Sequence, residues 1–275
     1  MGKHLESNEP YLLGTHAAEE SRLQTQHRLW AGEARGLWDR AGFGPDARLL
    51  DLGCGPGFAT LELAERVGAG GRVLAVDESG RFIGRLTREA KRLGFKQITA
   101  RVERAEMVRL EPASLDGAFV RWLFCFLPDP AAVIGRVANG LRPGGRFVAW
   151  DFLNFDGMTL LPRSPAFQRV HAAVYESFAS NGGDLNIGDR LPGLIAASGC
   201  RLVDLVPLVR FIRPGTSFWK WPTQFFSNFI PQLVENGLLT ESERLAFEAE
   251  WRDRERDPGT FLFAAPMIGI VAEKM

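Results

Sequence analysis

The sequence predicts an α/β protein built on a doubly wound, mostly parallel sheet, and three observations carry that prediction. Between residues 46 and 151, short apolar runs alternate with helix-periodic stretches, as in a parallel sheet whose crossovers are helices. The first apolar run ends in a glycine cluster that opens into a helix, Gly53-Cys54-Gly55-Pro56-Gly57. The chain has 275 residues, 45% of them hydrophobic, enough to bury a core without disulfides or a structural metal.

The elements follow in order. Along 17–30, Leu23, His27 and Trp30 fall at helical spacing, and Gly42 to Pro45 then break the chain. Strands are expected at 48–53, 72–77, 97–102, 116–122 and 146–152, with helices at 58–67, 79–94 and 130–141 between them. Gly94 stops the second of these helices, and 142–145 reads as a turn. Beyond 152 the pattern loosens. Helices are expected at 164–180 and 189–199, a long strand at 201–212, and a last strand at 261–274 with Pro266 at a bulge or edge. The expectation is therefore a single domain over 1–275 with a seven-stranded sheet and a core at 46–151. Segments 1–44, 153–188 and 213–259 lie outside that frame and are expected to form a helical lid around a pocket.

Composition removes several function classes. Lys plus Arg is 33 and Asp plus Glu is 33, a balance that argues against a broad phosphate-binding face. Residues 45–150 hold 16 basic against 12 acidic residues, a mild +4. Of the basic residues 28 are Arg and five are Lys, a bias we attribute to genome composition. Cys54, Cys125 and Cys200 show no CxxC spacing, which favours a reducing compartment over a disulfide framework. The first residues lack the apolar run of a signal peptide, and no stretch reaches 18 uninterrupted apolar residues. The expectation is a cytoplasmic protein without a membrane span.

The glycine loop carries the chemistry. Glycines after a strand let a ligand approach the backbone and leave N–H groups free at a helix N-terminus. A dinucleotide fingerprint needs G-x-G-x-x-G, but with Gly53 and Gly55 as the first two, the third place holds Phe58. A phosphate-binding loop of the GK[ST] type is also absent. Asp77 ends the second strand twenty residues beyond Gly57, where a carboxylate accepts hydrogen bonds from both ribose hydroxyls of an adenosine. The pattern calls for an adenosine nucleoside that carries something other than pyrophosphate.

Residues 48–151 resemble the class I S-adenosylmethionine-dependent methyltransferases. Asp51-Leu52-Gly53-Cys54-Gly55-Pro56-Gly57 matches that family's first motif and Asp77 its ribose-binding acid. Asp116 opens the family's fourth strand, and Leu141-Arg142-Pro143-Gly144-Gly145 matches the turn before its fifth. The resemblance implies a Rossmann-like sheet of seven strands whose final strand, at 261–273, is antiparallel. It also implies S-adenosyl-L-methionine as cofactor. The N-terminal residues Tyr11, Gly14, Glu19 or Glu20, Arg22-Leu23 and Gln26 are similar to a motif in a bacterial subgroup of small-molecule enzymes of the quinone-biosynthesis type. One position departs from the family, which usually has Asp or Asn where Arg104 precedes Ala105 and Glu106. A guanidinium offers no acceptor to the adenine amino group, so Glu106, Glu103, a water or stacking by Arg104 must substitute.

The resemblance makes Asp51, Gly53, Cys54, Gly55, Gly57, Asp77, Glu78, Arg104, Ala105, Glu106, Arg121 and Trp122 candidates for the cofactor site, with Tyr11, Arg22 and Gln26 closing over its carboxylate end. Asp51 would brace the loop and meet the cofactor ammonium; Cys54 is a small loop residue and not a nucleophile. Asp77 also suits a helix cap. Arg121 can pair with the cofactor carboxylate or with surface acids, and Trp122 can face the sulfonium or simply pack. His171, Tyr175 and His27 are candidates for a base where the acceptor must lose a proton, although a His on an apolar helix face is more often structural. No metal site is expected. Asp184 either positions a polar substrate group or holds its own loop. The aromatic segment 218–229 suits a hydrophobic lid. The function expected is in-line methyl transfer to a small, partly apolar acceptor, aromatic or lipid-like. The alternatives are a catalytically silent cofactor-binding scaffold, an RNA or protein methyltransferase, and, behind these, a reductase using NAD.

Overall fold

The computed structural model describes residues 13–15 and 17–275. Its main sheet runs, from edge to edge, β3 (Ile98–Val102), β2 (Arg72–Asp77), β1 (Arg48–Leu52), β4 (Leu115–Arg121), β5 (Leu141–Phe152), β10 (Met267–Lys274) and β7 (Cys200–Leu208). The first five are parallel, and β10 lies antiparallel to both β5 and β7. The sheet is thus the seven-stranded, Rossmann-like arrangement expected, with its antiparallel strand in place. The chain runs outward from β1 to β3 and then returns to β4 on the other side of β1. At such a reversal the loops leave in opposite directions and open a crevice above the strand ends.

The helices of the core are α2 (Phe58–Val67), α3 (Gly80–Leu93), α4 (Pro130–Gly140) and α6 (Leu191–Ala197). The sequence marks several helix starts. Ser79 accepts from Phe82 N at 3.2 Å at the start of α3, and Asp129 accepts from Ala132 N at 3.1 Å at α4. The cap of α3 is therefore Ser79 rather than Asp77. Against this frame pack α1 (Ala17–Arg40), α5 (Pro165–Ser180), α7 (Lys220–Glu235) and α8 (Glu241–Arg254). α1 buries Trp30, Leu37 and Trp38, and Leu37 comes so close to β10 that a Cβ on Gly269 would lie 2.6 Å from it.

The last third of the chain departs from expectation. The strand expected over 201–212 divides into β7 and β8 (Phe211–Ile212), and that over 261–274 into β9 (Phe261–Phe263) and β10. β8, β9 and β6 (Thr159–Leu161) form a separate three-stranded sheet in the order β6-β9-β8. The physical reason lies at Pro266, which has no N–H to give and whose carbonyl accepts from Leu153 N at 2.9 Å and Asn154 N at 3.2 Å. Those bonds tie the kink to the end of β5 and send 261–263 to the smaller sheet. Of the segments expected to be a helical lid, 153–188 thus carries a strand, β6, as well. The turn expected at 142–145 is absorbed into the start of β5 as an irregularity, with Gly144 at φ +76°. Among the described residues no helix is long and apolar enough to cross a membrane.

Gly57 sits where two demands meet. It takes φ +84° at the start of α2, and a Cβ there would fall 2.4 Å from Leu86 Cδ1 and 3.0 Å from Leu86 Cβ on α3. Gly57→Ala should therefore cost about 2–4 kcal/mol of unfolding free energy in urea titrations. A loss within 0.5 kcal/mol would refute this tight approach of α3.

Candidate active site

A cleft of about 1000 Å³ opens above the ends of β1, β2 and β4, at the reversal of strand order. Its floor is the loop after β1. Gly53 N and Cys54 N donate to Val76 O at 2.8 and 3.1 Å, so the loop is stitched to β2. Gly53 and Gly55 take φ +72° and +54°, conformations that strain other residues. Asp77 sets the far side. Its Oδ2 accepts from Gly55 N at 2.8 Å and its Oδ1 from Ser79 N at 2.9 Å. Burial raises the pKa of Asp77 while both N–H bonds favour its ionised form.

Beneath the loop, Asp51 is buried and accepts from Thr60 Oγ1 at 2.6 Å. Desolvation lifts its pKa to about 6 against the opposing influence of Thr60 and Arg121. Gly53, Cys54, Gly55, Asp51, Asp77 and Glu78 all line the cleft. Gly57 does not; it backs the loop against α3. Arg104, Ala105 and Glu106 line the same end, with Arg104 Nη2 donating to Glu106 Oε1 at 3.0 Å.

Arg121 ends β4 in the cleft wall, with its guanidinium 4.9 Å from the Trp122 ring centre and 5.6 Å from that of Trp150. Desolvation pulls its pKa down to about 10. Among the described residues it has no ion-pair partner, and its Nη1 is sealed from solvent without an acceptor. Arg121 Nη2 lies 3.2 Å from His27 Nδ1 and can only donate, so Nδ1 carries the lone pair. His27 Nε2–H then donates to Glu62 Oε1 at 3.0 Å, and Arg35 also binds Glu62. Burial lowers the pKa of His27. Burial opposes ionisation of Glu62, yet the bonds from His27 and Arg35 outweigh it and draw its pKa to about 2.

α1 supplies a third wall. Arg22 is buried and paired to both oxygens of Glu19, with Nη1 donating to Gln26 Oε1 at 2.7 Å. The same Gln26 oxygen accepts from Trp221 Nε1 on α7 at 2.8 Å. Glu20 has a separate partner: it accepts from Arg85 Nε at 2.6 Å, while Arg85 Nη1 donates to Pro56 O at 2.8 Å. Glu19 is thus the acid of the Glu-x-x-Arg pattern, and Glu20 ties α1 to the glycine loop. Tyr11 lies outside the described residues.

The other half of the cleft is apolar, walled by Phe126, Phe152, Phe155, Met158, Val174 and Phe178, with Trp221 and Phe225 from α7. Trp122 stands between the halves at φ +51°, its indole N–H 3.1 Å from Met267 Sδ. For a bulky residue this backbone conformation is an outlier of the kind that gathers at functional sites. Within 218–229, Phe226 and Trp219 face Trp251 of α8 instead of the cleft.

Of the three residues considered as bases, His27, His171 and Tyr175, none lines the cleft. His171 stacks on Phe155 at 4.5 Å and donates from Nε2 to Phe155 O at 2.9 Å, facing a cavity of about 100 Å³ instead. Tyr175 is half-buried against the core. Asp184 binds Arg190 at 2.7 Å and Asn186 N at 2.8 Å, so it holds its own loop. Among the described residues no group of three His, Cys, Asp or Glu side chains is placed to hold a metal. Sequence reasoning missed Asp151, buried at the end of β5, whose carboxylate accepts from Phe152 N at 2.9 Å and Cys125 N at 3.2 Å. Burial raises its pKa to about 6. A lone acid within the apolar run 147–152 was the available signal.

Residues 50–149 match a family model described as a methyltransferase domain. Nocamycin O-methyltransferase from Saccharothrix syringae is 34% identical over 113 residues, 41% of this chain and 40% of that protein. Aklanonic acid methyltransferase DauC from Streptomyces sp. (strain C5) is 34% identical over 99 residues, 36% of this chain and 45% of that one. The chain thus spans less than half the length of these curated relatives. Among solved structures, geranyl diphosphate C-methyltransferase from Streptomyces coelicolor A3(2), in complex with Mg2+, geranyl diphosphate and S-adenosyl-L-homocysteine, superposes with a TM-score of 0.57 at 19% identity. That match covers 94% of this chain and 84% of the other, and it establishes the fold.

Two predictions follow from the buried charges. Asp51 and Asp151 hold their protons to about pH 6 in the folded chain, whereas in the unfolded chain they release them near pH 4. Stability from this source is present at low pH and lost as pH rises from about 4 to 6. Glu62 acts in a lower window and the histidines act with the opposite sign, so the comparison is between wild type and Asp151→Asn. Between pH 4.5 and 7 the wild type should lose about 1–3 kcal/mol more than the variant in urea titrations; parallel curves would refute the assignment. In nitrogen NMR spectra, the His27 ring should be the neutral Nε2–H tautomer at pH 7 and titrate below 6.5. A midpoint above 6.5 would contradict the Arg121–His27–Glu62 chain.

Proposed function

We propose that this chain, which belongs to the class I S-adenosylmethionine-dependent methyltransferases, transfers a methyl group from S-adenosyl-L-methionine to a small, partly apolar acceptor, aromatic or lipid-like, by in-line displacement. The observation that carries the reading is the arrangement of one cleft wall. A glycine loop latched to Asp77 faces an Arg121 guanidinium that has no carboxylate partner among the described residues.

The residues fit that cofactor. Asp77 and Glu78 would take the ribose hydroxyls, since each Asp77 oxygen accepts one backbone N–H and has a further lone pair. Arg121 would meet the cofactor carboxylate and Asp51 the ammonium, with Arg22, Gln26 and Tyr11 closing that end. Glu103, Arg104, Ala105 and Glu106 form the shelf for adenine, where the carboxylates replace the acceptor that Arg104 cannot supply. When bound, S-adenosyl-L-methionine supplies a methyl group on a sulfonium, already a good leaving group. The chain's task is to align the acceptor and exclude water. The Trp122 ring offers an aromatic face to positive charge, and the apolar half keeps the reacting atoms dry. His27, His171 and Tyr175 stand outside the wall and receive no proton-moving role. We place the whole chain in one methyltransferase domain, with 46–151 as its cofactor half. The partner is a small molecule, no nucleic acid is needed, and three free, buried thiols suit the cytoplasm. The relatives' named activities, on nocamycin and aklanonic acid, and the S-adenosyl-L-homocysteine in the structural neighbour support this reading.

Calorimetric titration should show saturable binding of S-adenosyl-L-methionine and S-adenosyl-L-homocysteine and none of NADH. Arg121→Met should weaken both at least tenfold, the loss of a charge-assisted hydrogen bond. Asp77→Ala should do the same, but it also frees the loop. A folded protein that binds neither sulfur nucleoside refutes the proposal. Labelled methyl transfer to a panel of aromatic and lipid acceptors tests the second half; activity confined to charged, sugar-like acceptors would refute it.

A further inference from the structure

The walls of the cleft differ in charge from one end to the other. Its three cations are accounted for: Arg22 is paired with Glu19, Arg104 with Glu106, and Arg121 stands beside the glycine loop. The opposite rim is formed where α5 and α7 end together, and it presents Ser180, Asn181, Gln232, Glu235 and Asn236. Among the described residues lining that rim there is no Lys, Arg or His. Backbone N–H groups cap the last carbonyls of both helices, but neither carries a basic residue in its last turn, so no side-chain cation offsets the negative end of either helix dipole. Glu235 adds a full negative charge and makes no ion pair among the described residues. Between this rim and Trp122 the wall is hydrocarbon and aromatic, led by Phe126, Phe155, Met158 and Phe178.

We infer that the acceptor is an apolar molecule whose polar end is a cationic amine, held at the rim by Glu235 and the C-termini of α5 and α7. This inference rests on the methyltransferase reading and adds the acceptor's charge to it. An anionic end, such as a carboxylate or diphosphate, placed at this rim would find no cation among the described residues that line it and would meet Glu235. An uncharged end would find hydrogen bonds but gain nothing from the field. An amine gains from each helix end and from the carboxylate, and its apolar body covers the aromatic wall. The methyl-accepting atom lies in the apolar half, apart from the amine, so the ammonium anchors the molecule without itself reacting.

The test uses three matched probes on the full chain saturated with S-adenosyl-L-homocysteine: 4-phenylbutylamine, 4-phenylbutan-1-ol and 4-phenylbutyrate. Calorimetry at pH 7.5 and low salt should show the amine binding about three- to tenfold more tightly than the alcohol, and the carboxylate weakest. Glu235→Gln, at an exposed position, should bring amine and alcohol within about twofold of each other. Added salt should shrink the wild-type difference in the same way. A carboxylate that binds as tightly as the amine overturns the inference, as does an amine preference that survives Glu235→Gln. Failure of the amine to bind a chain that does bind S-adenosyl-L-homocysteine overturns it and leaves the methyltransferase reading standing. Failure of S-adenosyl-L-homocysteine itself to bind removes both.

Discussion

Three carboxylates at the ends of three strands hold the reversal of this sheet together. Asp51, Asp77 and Asp151 stand at or next to the last residues of β1, β2 and β5, where backbone groups leave the ladder and need new partners. Asp77 binds the N–H groups of Gly55 and Ser79, Asp151 those of Cys125 and Phe152, and Asp51 the Thr60 hydroxyl. Each therefore fixes a loop from within. Burying a carboxylate is costly unless such bonds are made, and the raised pKa of all three shows that the bonds offset the cost only in part. Arg121 favours the ionised form of Asp51 from a distance, and its guanidinium lies against His27 of α1.

That dependence on α1 explains why the first helix is part of the site. Its residues reach inward at Arg22, Gln26 and His27, and Trp30 packs edge-on to Trp150, Trp221 and Phe218 at centroid distances of 5.8, 5.2 and 5.4 Å. Edge-to-face pairs of this kind each contribute about 0.5–1.5 kcal/mol beyond their burial. Arg210 extends the cluster, lying 3.9 Å from the Phe218 ring centre while pairing with Glu33 of α1. The same contacts that stabilise the helix join it to α7, so the α1 and α7 walls of the cleft share one aromatic seam.

The parts of this structure that were legible in the sequence are those set by local rules. Strand and helix periodicity located β1 to β5 and α2 to α4, because each buries a face against an immediate neighbour in the chain. The loop from Gly53 to Gly57 and Asp77 were legible because their task belongs to backbone geometry, which few residues can satisfy. The division of 261–274 was not, since it depends on Pro266 bonding to 153 and 154, more than a hundred residues away. The partners of His27 were not legible for the same reason: its tautomer is dictated by Arg121, 94 positions along the chain. In 218–229 the aromatic content was plain, but only the three-dimensional arrangement of α7 separates Trp221 and Phe225, which face the cleft, from Phe226, which faces α8.

The extent of similarity to known proteins follows the same division of labour. The family match covers 50–149, from β1 into β5. Within that span the cleft wall is built from the backbone of the glycine loop and the carboxylate of Asp77 that latches it, an arrangement with little freedom to vary. Beyond it the cleft is lined by side chains on α5 and α7, and any set of apolar residues of similar volume preserves the packing. Such walls are free to change with the molecule they receive, while the fold persists over nearly the whole chain. On the proposed reading, the charge along those walls follows the acceptor more than the ancestry. Along the rim where α5 and α7 end, among the described residues, the charge consists of Glu235 without an ion-pair partner and two helix ends with no basic side chain in their last turns.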